Sequence, residues 1–316
     1  MNVTTRPRPA TKFDDPATTA KGEARAHVAL TRPKTLWFNT GTLCNITCAN
    51  CYIESSPTND RLEYITSDEV ADYLDQVVER GWPVDEIAFT GGEPFMNPQM
   101  GRMARLALDR GFRVLILTNA MRPMMRPRVQ AEIAALQADF PGRTVMRISL
   151  DHWNPDNHDA ERGTGAFART IEGMDWLRDT GVPMAVAGRT LWDETEAQSR
   201  AGYAALYAAR GYAIDAQDPG ATVLFPEMDE TVDVPEITTG CWDILNKHPD
   251  SVMCASSRMV VKRKGAARPA VLACTLLPYD ERFEMGASLA EAEADVSLNH
   301  PHCAKFCVLG GASCSA

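Results

Sequence analysis

The chain has 316 residues, of which 45% are hydrophobic, and its formal net charge is -10 at pH 7. This length suits one large α/β barrel with an appendage, or two ordinary domains. The acidic balance gives no overall positive field and excludes a general nucleic-acid-binding protein. We find no apolar stretch that could span a bilayer and no signal-peptide core in residues 1–27, so we expect a cytoplasmic protein without a membrane partner.

The first thirty residues carry scattered charges and several prolines, without helical or strand periodicity. We interpret residues 1–30 as a flexible N-terminal arm or as a strap over the following domain. At residue 35 the pattern changes to a short run typical of a β-strand, which leads directly into a loop containing three cysteines.

From residue 31 to residue 235, predicted strands alternate with predicted helices. The strands lie near residues 35, 86, 112, 145, 184 and 222. The first helix has a capping box of Thr66 and Glu69, and the helices end near Gly81, Gly111, Gly181 and Gly211. Such alternation predicts a parallel sheet with right-handed crossovers. Six units are fewer than a full barrel needs, so we predict a partial (β/α)6 TIM-like barrel with its chemistry at the carboxyl ends of the strands.

The alternation stops after Pro226, where an acidic connector begins. We place a boundary near residue 235 and predict a small Cys-rich C-terminal subdomain over residues 236–316. Residues 259–261 and 270–272 flank a glycine-containing turn and predict a β-hairpin that brings Cys254 and Cys274 together. We interpret the positive charges of this hairpin as solvated, and we place His300 and His302 in a solvated loop.

The nine cysteines are odd in number and follow no secretion signal, which favours metal ligands over disulfides. Cys44, Cys48 and Cys51 lie within eight residues of one another, and no fourth cysteine is near them. Thiolates select zinc, copper(I) or iron-sulfur clusters. Three cysteines on a four-iron cluster leave one iron open to a small molecule, whereas the alternatives are a zinc knuckle or a cluster that only carries electrons.

This cysteine motif resembles the cluster-binding loop of the radical S-adenosylmethionine (radical SAM) superfamily. Residues 91–94, Gly-Gly-Glu-Pro, are similar to a second motif of that family, and residues 148–151 resemble the end of its fourth strand. The resemblance implies that Cys44, Cys48 and Cys51 hold a 4Fe-4S cluster whose fourth iron binds the amine and carboxylate of SAM. One departure is Asn50, because many members have an aromatic residue just before the third cysteine.

The resemblance also implies how the remaining residues contact SAM. Gly91, Gly92 and Glu93 would receive its ammonium group, since glycines allow close backbone approach and a carboxylate pairs with a cation. Ser149 and Asp151 would meet the ribose, although each could equally be a polar strand end that caps the next helix. Arg189 would face the SAM carboxylate, with an ordinary surface arginine as the alternative.

The C-terminal cysteines resemble the auxiliary-cluster appendages called twitch and SPASM subdomains. By this resemblance Cys254, Cys274, Cys303 and Cys307 would supply the four ligands of a second 4Fe-4S cluster, with a zinc site as the alternative. Cys314 or Cys241 could replace one of the four, and Cys241 could equally be an inert buried thiol.

The resemblance predicts a radical SAM oxidoreductase that cleaves SAM reductively and abstracts a hydrogen atom from its substrate. An auxiliary cluster favours an oxidative outcome, such as dehydrogenation or rearrangement of a small molecule. The first thirty residues are too short for a leader-binding domain, which places a peptide-modifying or protein-modifying maturase second. An iron-sulfur electron carrier or redox sensor is the non-catalytic alternative. The expected partners are a small-molecule or peptide substrate and an electron donor of the flavodoxin or ferredoxin type; no catalytic side chain can be assigned.

Overall fold

The strands of the computed structural model, which describes residues 11–310, form one large sheet and one small one. They are β1 (His27–Val28), β2 (Thr35–Asn39), β3 (Glu86–Thr90), β4 (Arg113–Thr118), β5 (Thr144–Ser149), β6 (Met184–Arg189), β7 (Thr222–Phe225), β8 (Ser257–Val261), β9 (Ala270–Leu272) and β10 (Val296–Ser297). The large sheet has the order β7-β6-β5-β4-β3-β2-β8-β9. Strands β2 to β7 are parallel to their neighbours and coincide with the six predicted strands, so the predicted α/β partial barrel is confirmed.

Helices connect the parallel strands and cover the outer face of the sheet. They are α1 (Ser67–Glu79), α2 (Met100–Asp109), α3 (Pro127–Asp139), α4 (Pro155–Arg162), α5 (Ala166–Thr180), α6 (Glu196–Arg210) and α7 (Cys241–Leu245). The capping box of Thr66 and Glu69 is present at the start of α1, and α5 and α6 end directly before Gly181 and Gly211, as predicted. None of the helices among the described residues is long and apolar enough to cross a membrane.

Side chains of the central strands alternate between two hydrophobic cores, as a parallel sheet buried on both faces requires. Leu36 and Phe38 of β2 face the core under the helices. Trp37 faces the inner core, which continues into the C-terminal region through Met259 and Phe306. The inner face of the barrel is therefore covered by the C-terminal part of the chain.

The sheet continues across the predicted boundary near residue 235. Strand β8 pairs in parallel with β2, and β9 pairs antiparallel with β8 as the predicted hairpin. The cysteine-rich region thus extends the barrel sheet beyond its first parallel strand. No independent observation divides the chain at residue 235, and the division into segments stays a prediction.

The described part of the N-terminal segment packs against the C-terminal region, which favours a strap over a free arm. Strand β1 pairs antiparallel with β10, and the Phe13 side chain is fully buried. The buried guanidinium of Arg25 lies 2.6 Å from a carboxylate oxygen of Glu236. Residues 1–10 lie outside the described residues.

Candidate active site

A cavity opens at the carboxyl ends of the barrel strands and contains eight of the nine residues predicted to hold a cluster and SAM. These are Cys44, Cys48, Cys51, Gly91, Gly92, Ser149, Asp151 and Arg189. The ninth, Glu93, is buried and does not line the cavity. Residues that are separated by up to 145 positions along the chain meet here because parallel strands end at one edge of the sheet.

The cysteine loop is held at both ends by backbone contacts. The Cys44 amide donates to the Ser56 carbonyl at 3.0 Å, next to a parallel bridge between Leu43 and Ser56. The Ser55 amide donates to the sulfur of Cys51 at 3.3 Å. Closing the loop in this way turns the three thiols toward one cavity.

The turn at Gly91 and Gly92 packs directly against the start of this loop. The Gly92 amide donates to the Gly41 carbonyl at 2.8 Å, and the Glu93 amide donates to the Leu43 carbonyl at 3.1 Å. A Cβ atom on Gly92 would lie 2.2 Å from the Leu43 carbonyl oxygen, and one on Gly91 would lie 2.5 Å from that of Gly41. The close approach of two backbones therefore requires glycine at both positions.

The Glu93 side chain is buried and braces the end of β4. One carboxylate oxygen accepts from the Thr118 hydroxyl at 2.8 Å and the Phe95 amide at 3.2 Å. The other accepts from the Asn119 amide at 2.9 Å. Burial raises the pKa of Glu93 to about 7, even though these three donors favour its charged form. The structure brings the backbone of residues 91–92 to the cavity, but not the predicted Glu93 carboxylate.

Arg162 is a functional candidate that the sequence analysis missed. It ends α4, lines the cavity, and donates two hydrogen bonds to the Asp151 carboxylate, at 2.6 and 2.9 Å. Although burial opposes its charge, Asp151 and the nearby cysteines hold the pKa of Arg162 above its ordinary value. The signal in the sequence was a basic residue directly before Gly163, but nothing local showed that α4 turns back toward Cys48.

Asn50, the departure from the family pattern, ties the cysteine loop to α4. Its amide donates to both carboxylate oxygens of Glu161, at 2.9 and 3.0 Å. The Arg189 guanidinium donates to the Asn50 carbonyl at 2.7 Å, while the Nε atom of Arg189 is buried without a hydrogen-bond partner. An unpaired donor of a cationic side chain on the cavity wall suits an anionic ligand group.

Burial favours the protonated form of two of the thiols at the cavity, those of Cys44 and Cys48. Burial, together with the smaller effect of the neighbouring Glu93, raises the pKa of Cys44 to about 12. Burial also raises the pKa of Cys48. Thiols bind metal as thiolates, so loading this site with iron must release protons and reverse the local charge balance.

A second cavity contains the four cysteines predicted for an auxiliary cluster. Its walls include Cys254, Cys274, Cys303 and Cys307. The other walls are Met253, Leu276, Leu277, Phe283, Val296, Leu298 and His302. Burial raises the pKa of Cys254 to about 11 and that of Cys303 to about 12. The C-terminal hairpin supplies the first two cysteines, and a π-helix over residues Cys303–Leu309 supplies the other two.

Of the two possible substitutes for these ligands, Cys241 lies away from the second cavity. Cys241 begins α7, where its sulfur accepts from the Thr238 amide at 3.3 Å, and it does not line the cavity. Cys314 lies outside the described residues. In the range 11–310, no three His, Cys, Asp or Glu side chains converge as they would on a single metal ion. The four thiols instead surround a space.

The expectation of solvated histidines was wrong, and the expectation of solvated hairpin charges is met by the exposed Lys264 and Arg268 but not by Arg258. His300 and His302 are both buried, and His302 lines the second cavity with its Nδ1 atom lacking a hydrogen-bond partner. In the hairpin, Arg258 is buried, and Lys262, Arg263 and Lys264 form ion pairs with Glu69, Glu284 and Asp60. The acids that meet these charges are distant in sequence, so the basic run appeared uncompensated.

The chain is an open α/β barrel, and three thiols lie beside a glycine turn at the carboxyl ends of its strands. These features are typical of barrel proteins that bind an iron-sulfur cluster. A family model described as the radical SAM superfamily matches residues 38–197. The chain belongs to the radical SAM superfamily.

The chain is similar to curated relatives with different activities. It is 31% identical to the AdoMet-dependent heme synthase of Methanosarcina barkeri over 45% of this chain and 38% of the relative. It is 32% identical to the antilisterial bacteriocin subtilosin biosynthesis protein AlbA of Bacillus subtilis over 48% of this chain and 32% of the relative. The matches therefore span about a third of the length of these relatives.

Solved structures share the fold at low sequence identity. Native anSMEcpe with bound AdoMet aligns with a TM-score of 0.60 at 12% identity, over 84% of this chain and 82% of that one. SuiB of Streptococcus suis bound to S-adenosylmethionine aligns with a TM-score of 0.58 at 11% identity, over 81% of this chain and 64% of that one.

Proposed function

We propose that this protein is a radical SAM oxidoreductase whose reaction takes place in the cavity at the strand ends. The observation that carries the proposal is that Cys44, Cys48 and Cys51 share one cavity with the Gly91–Gly92 backbone and with Arg189. When bound, a reduced 4Fe-4S cluster supplies one electron to the sulfonium of SAM, and the resulting 5′-deoxyadenosyl radical removes a hydrogen atom from the substrate.

The chain's own residues would bind and orient SAM. The guanidinium of Arg189, with its free Nε donor, is placed to hold the SAM carboxylate. The backbone at Gly91 and Gly92 is placed to accept the ammonium group. Because the Glu93 carboxylate already accepts three hydrogen bonds, we assign it the role of positioning this turn and the end of β4. Ser149 and the ion pair of Asp151 with Arg162 offer polar groups to the ribose.

The remaining cavity wall suggests what kind of substrate group enters. Leu117, Ala187, Phe225, Met228 and Leu276 form its apolar part. Burial of an apolar substrate portion there would exclude water from a reactive radical. We propose a small molecule with an apolar reacting portion, and the relatives named as heme synthases agree with this class.

A peptide substrate is the second candidate. Relatives include AlbA and a mycofactocin maturase, MftC, of Mycolicibacterium smegmatis, and one solved neighbour is SuiB bound to its precursor peptide SuiA. Comparing hydrogen-atom loss from a set of porphyrin-type small molecules with that from precursor peptides, under identical conditions, would distinguish the two classes.

Anaerobic reconstitution with iron, sulfide, SAM and a strong reductant tests the proposed activity. We expect 5′-deoxyadenosine from the wild-type protein and at least a hundredfold less from Cys48→Ala, with Cys241→Ala as a matched control that keeps wild-type activity. If fully loaded wild-type protein yields no 5′-deoxyadenosine, the chain is an electron carrier or redox sensor.

We further propose a second 4Fe-4S cluster in the C-terminal cavity, which would accept an electron from the substrate radical and favour an oxidative outcome. A single zinc ion binds its four sulfurs at about 2.3 Å each, so the sulfurs converge on one point. The four thiols here instead surround a largely apolar space, which suits a multi-iron cluster better. The Cys254→Ala/Cys274→Ala variant should lose about half of the bound iron and the oxidised product. Full iron content and full product formation would contradict this role.

A further inference from the structure

A basic cleft lies beside the cysteine loop and is separate from the cavity at the strand ends. We define it by its main wall residues, which are Ile46, Met96, Met121, Arg122, Arg126 and Arg169. It shares no lining residue with the active-site cavity. Thus the three thiols face the cavity, while Asn45 and Ile46, between the first two cysteines, face the cleft.

The cleft carries positive charge that the protein does not neutralise. Its three arginines are exposed, and none of them forms an ion pair with a carboxylate of residues 11–310. By contrast, the nearby Arg128 pairs with Glu132 at 2.9 Å. None of the wall residues is acidic. The chain as a whole has a net charge of -10 and repels acidic proteins. A local positive field is therefore the part of its surface that attracts an acidic partner.

The wall of the cleft is connected to the first cluster ligand. The sulfur of Cys44 lies 3.9 Å from the side-chain oxygen of Asn45, which lines the cleft. The Asn45 side chain accepts from Asn119 at 2.9 Å, and Asn119 lies 3.9 Å from the same sulfur. A partner seated in the cleft would therefore be separated from the cluster ligands by only the loop backbone. Met96, which is partly exposed, adds adaptable apolar surface of the kind found at weak, reversible interfaces, whereas Met121 is buried.

We infer that the basic cleft docks an acidic one-electron carrier protein, which gives one electron to the cluster and is itself oxidised by one electron. This inference rests on the proposed function, because it needs a cluster at Cys44, Cys48 and Cys51. A separate entry for electrons is required because SAM and the substrate occupy the cavity on the other side of the loop. An acidic segment of a peptide substrate is the competing occupant.

Stopped-flow reduction of the anaerobically reconstituted full-length protein, saturated with SAM, tests the inference. The probe is a flavodoxin of acidic isoelectric point in its hydroquinone form, and cluster bleaching and the electron paramagnetic resonance signal are followed. We expect Arg122→Glu/Arg169→Glu to slow reduction by flavodoxin at least tenfold at low ionic strength, and to remove most of its salt dependence. Reduction by dithionite should be unchanged.

The matched control is Arg113→Glu/Arg178→Glu, which makes the same change in net charge as the cleft variant. Its two residues lie at the amino-terminal ends of the strands, away from the cleft, so it should keep the wild-type rate. Equal slowing in the control, or a wild-type rate in the cleft variant, would overturn the inference. A cleft variant that keeps its reduction rate but loses affinity for an acidic peptide would assign the cleft to substrate. If the wild type forms no cluster or makes no 5′-deoxyadenosine with dithionite, the proposed function itself fails.

Discussion

At the scale of single residues, burial gives two charged side chains roles that their sequence context conceals. Glu93 stands in a glycine turn, yet its carboxylate is buried and holds three donors. Arg258 stands in a basic hairpin, yet its guanidinium is buried and donates to the carbonyls of Cys254, Ser257, Ala292 and Ala294. In both cases the side chain organises backbone next to a cysteine site.

The pH dependence of stability should report the buried state of Glu93. Its pKa of about 7 in the fold exceeds the ordinary value of 4.5, so the fold retains a proton that the unfolded chain loses. Stability of the metal-free protein should therefore fall as pH rises from 4.5 to about 7. Chemical denaturation across this range measures it. Glu93→Gln should remove this part of the pH dependence. The new amide would meet the Asn119 N–H, so the variant should also be less stable than wild type at every pH. An unchanged pH profile in the variant would contradict the raised pKa of Glu93.

Arg258 should matter for both the fold and the proposed second cluster. Burial lowers its pKa to about 10, and in the described chain no carboxylate forms an ion pair with it, whereas Cys254 and Cys274 lie near enough to favour its charge. Arg258→Gln should lower the free energy of unfolding by about 3 kcal/mol, because buried carbonyls lose a charged donor. If the proposed auxiliary cluster is bound, the substitution should also shift its reduction potential to more negative values, since a nearby cation stabilises the reduced state.

The charge-conserving variant Arg258→Lys separates these two effects. It should lose stability as the glutamine variant does but keep a potential closer to wild type, as measured by a redox titration followed by electron paramagnetic resonance. Equal potentials in the lysine and glutamine variants would show that Arg258 acts only as a structural clamp.

At the scale of elements, the candidate active site depends on the contact between the cysteine loop and the glycine turn after β3. Two backbone hydrogen bonds join them, and the carbonyls of Gly41 and Leu43 occupy the space that side chains at residues 91 and 92 would need. Both segments follow neighbouring parallel strands, β2 and β3, which fixes their distance. The turn thus acts as a rigid support for the loop.

Gly92→Ala should therefore disturb the site even though it adds only one methyl group. Its Cβ would lie 2.2 Å from a backbone oxygen, and the loop must move to relieve the overlap. We expect a loss of about 2 kcal/mol or more in stability, as for overpacking, and at least tenfold less SAM cleavage. The control is Gly240→Ala, whose Cβ would meet only the Thr238 hydroxyl at 3.8 Å. Calorimetry and 5′-deoxyadenosine formation measure the two effects; wild-type values for Gly92→Ala would refute the close-approach argument.

At the scale of the whole molecule, three parts of the chain that are distant in sequence are joined. Residues 11–28 pack on the C-terminal region through β1 and through the Arg25–Glu236 pair, and the C-terminal hairpin joins the barrel sheet at β2. Glu236 also accepts from the amides of Phe13 and Ala20, at 2.9 and 2.8 Å. One carboxylate, that of Glu236, thus binds three separate points of the strap in addition to the strand pairing.

Glu236→Gln should lower the free energy of unfolding by about 3 kcal/mol, because it leaves the buried Arg25 charge uncompensated. Asp233→Asn, which removes a partly exposed pair with Lys12, is the matched control and should cost less than about 1 kcal/mol. Although burial alone would raise the pKa of Glu236, hydrogen bonds from Arg25 and two amides hold it below 4.5. Its contribution should thus be present above pH 4.5 and be lost as pH falls below that value. Similar denaturation midpoints for both variants would contradict this.

The sequence by itself determined the local and periodic features of this protein. The six strands, the capping box of α1 and the helix ends at Gly181 and Gly211 depend on short-range geometry, so they could be predicted. The rule that parallel strands end at one edge also predicted that Cys44, Ser149 and Arg189 would meet, and the cavity contains them. The antiparallel pairing of the predicted hairpin likewise brings Cys254 and Cys274 to one cavity.

The tertiary structure alone decided how charges are paired and what is buried. Asp151 pairs with Arg162, Asn50 with Glu161, and Arg25 with Glu236, at sequence separations that no local pattern encodes. Likewise, the burial of Glu93 and Arg258 follows from packing against distant segments. The strength of an electrostatic interaction depends on distance and local dielectric, and only the folded chain fixes both.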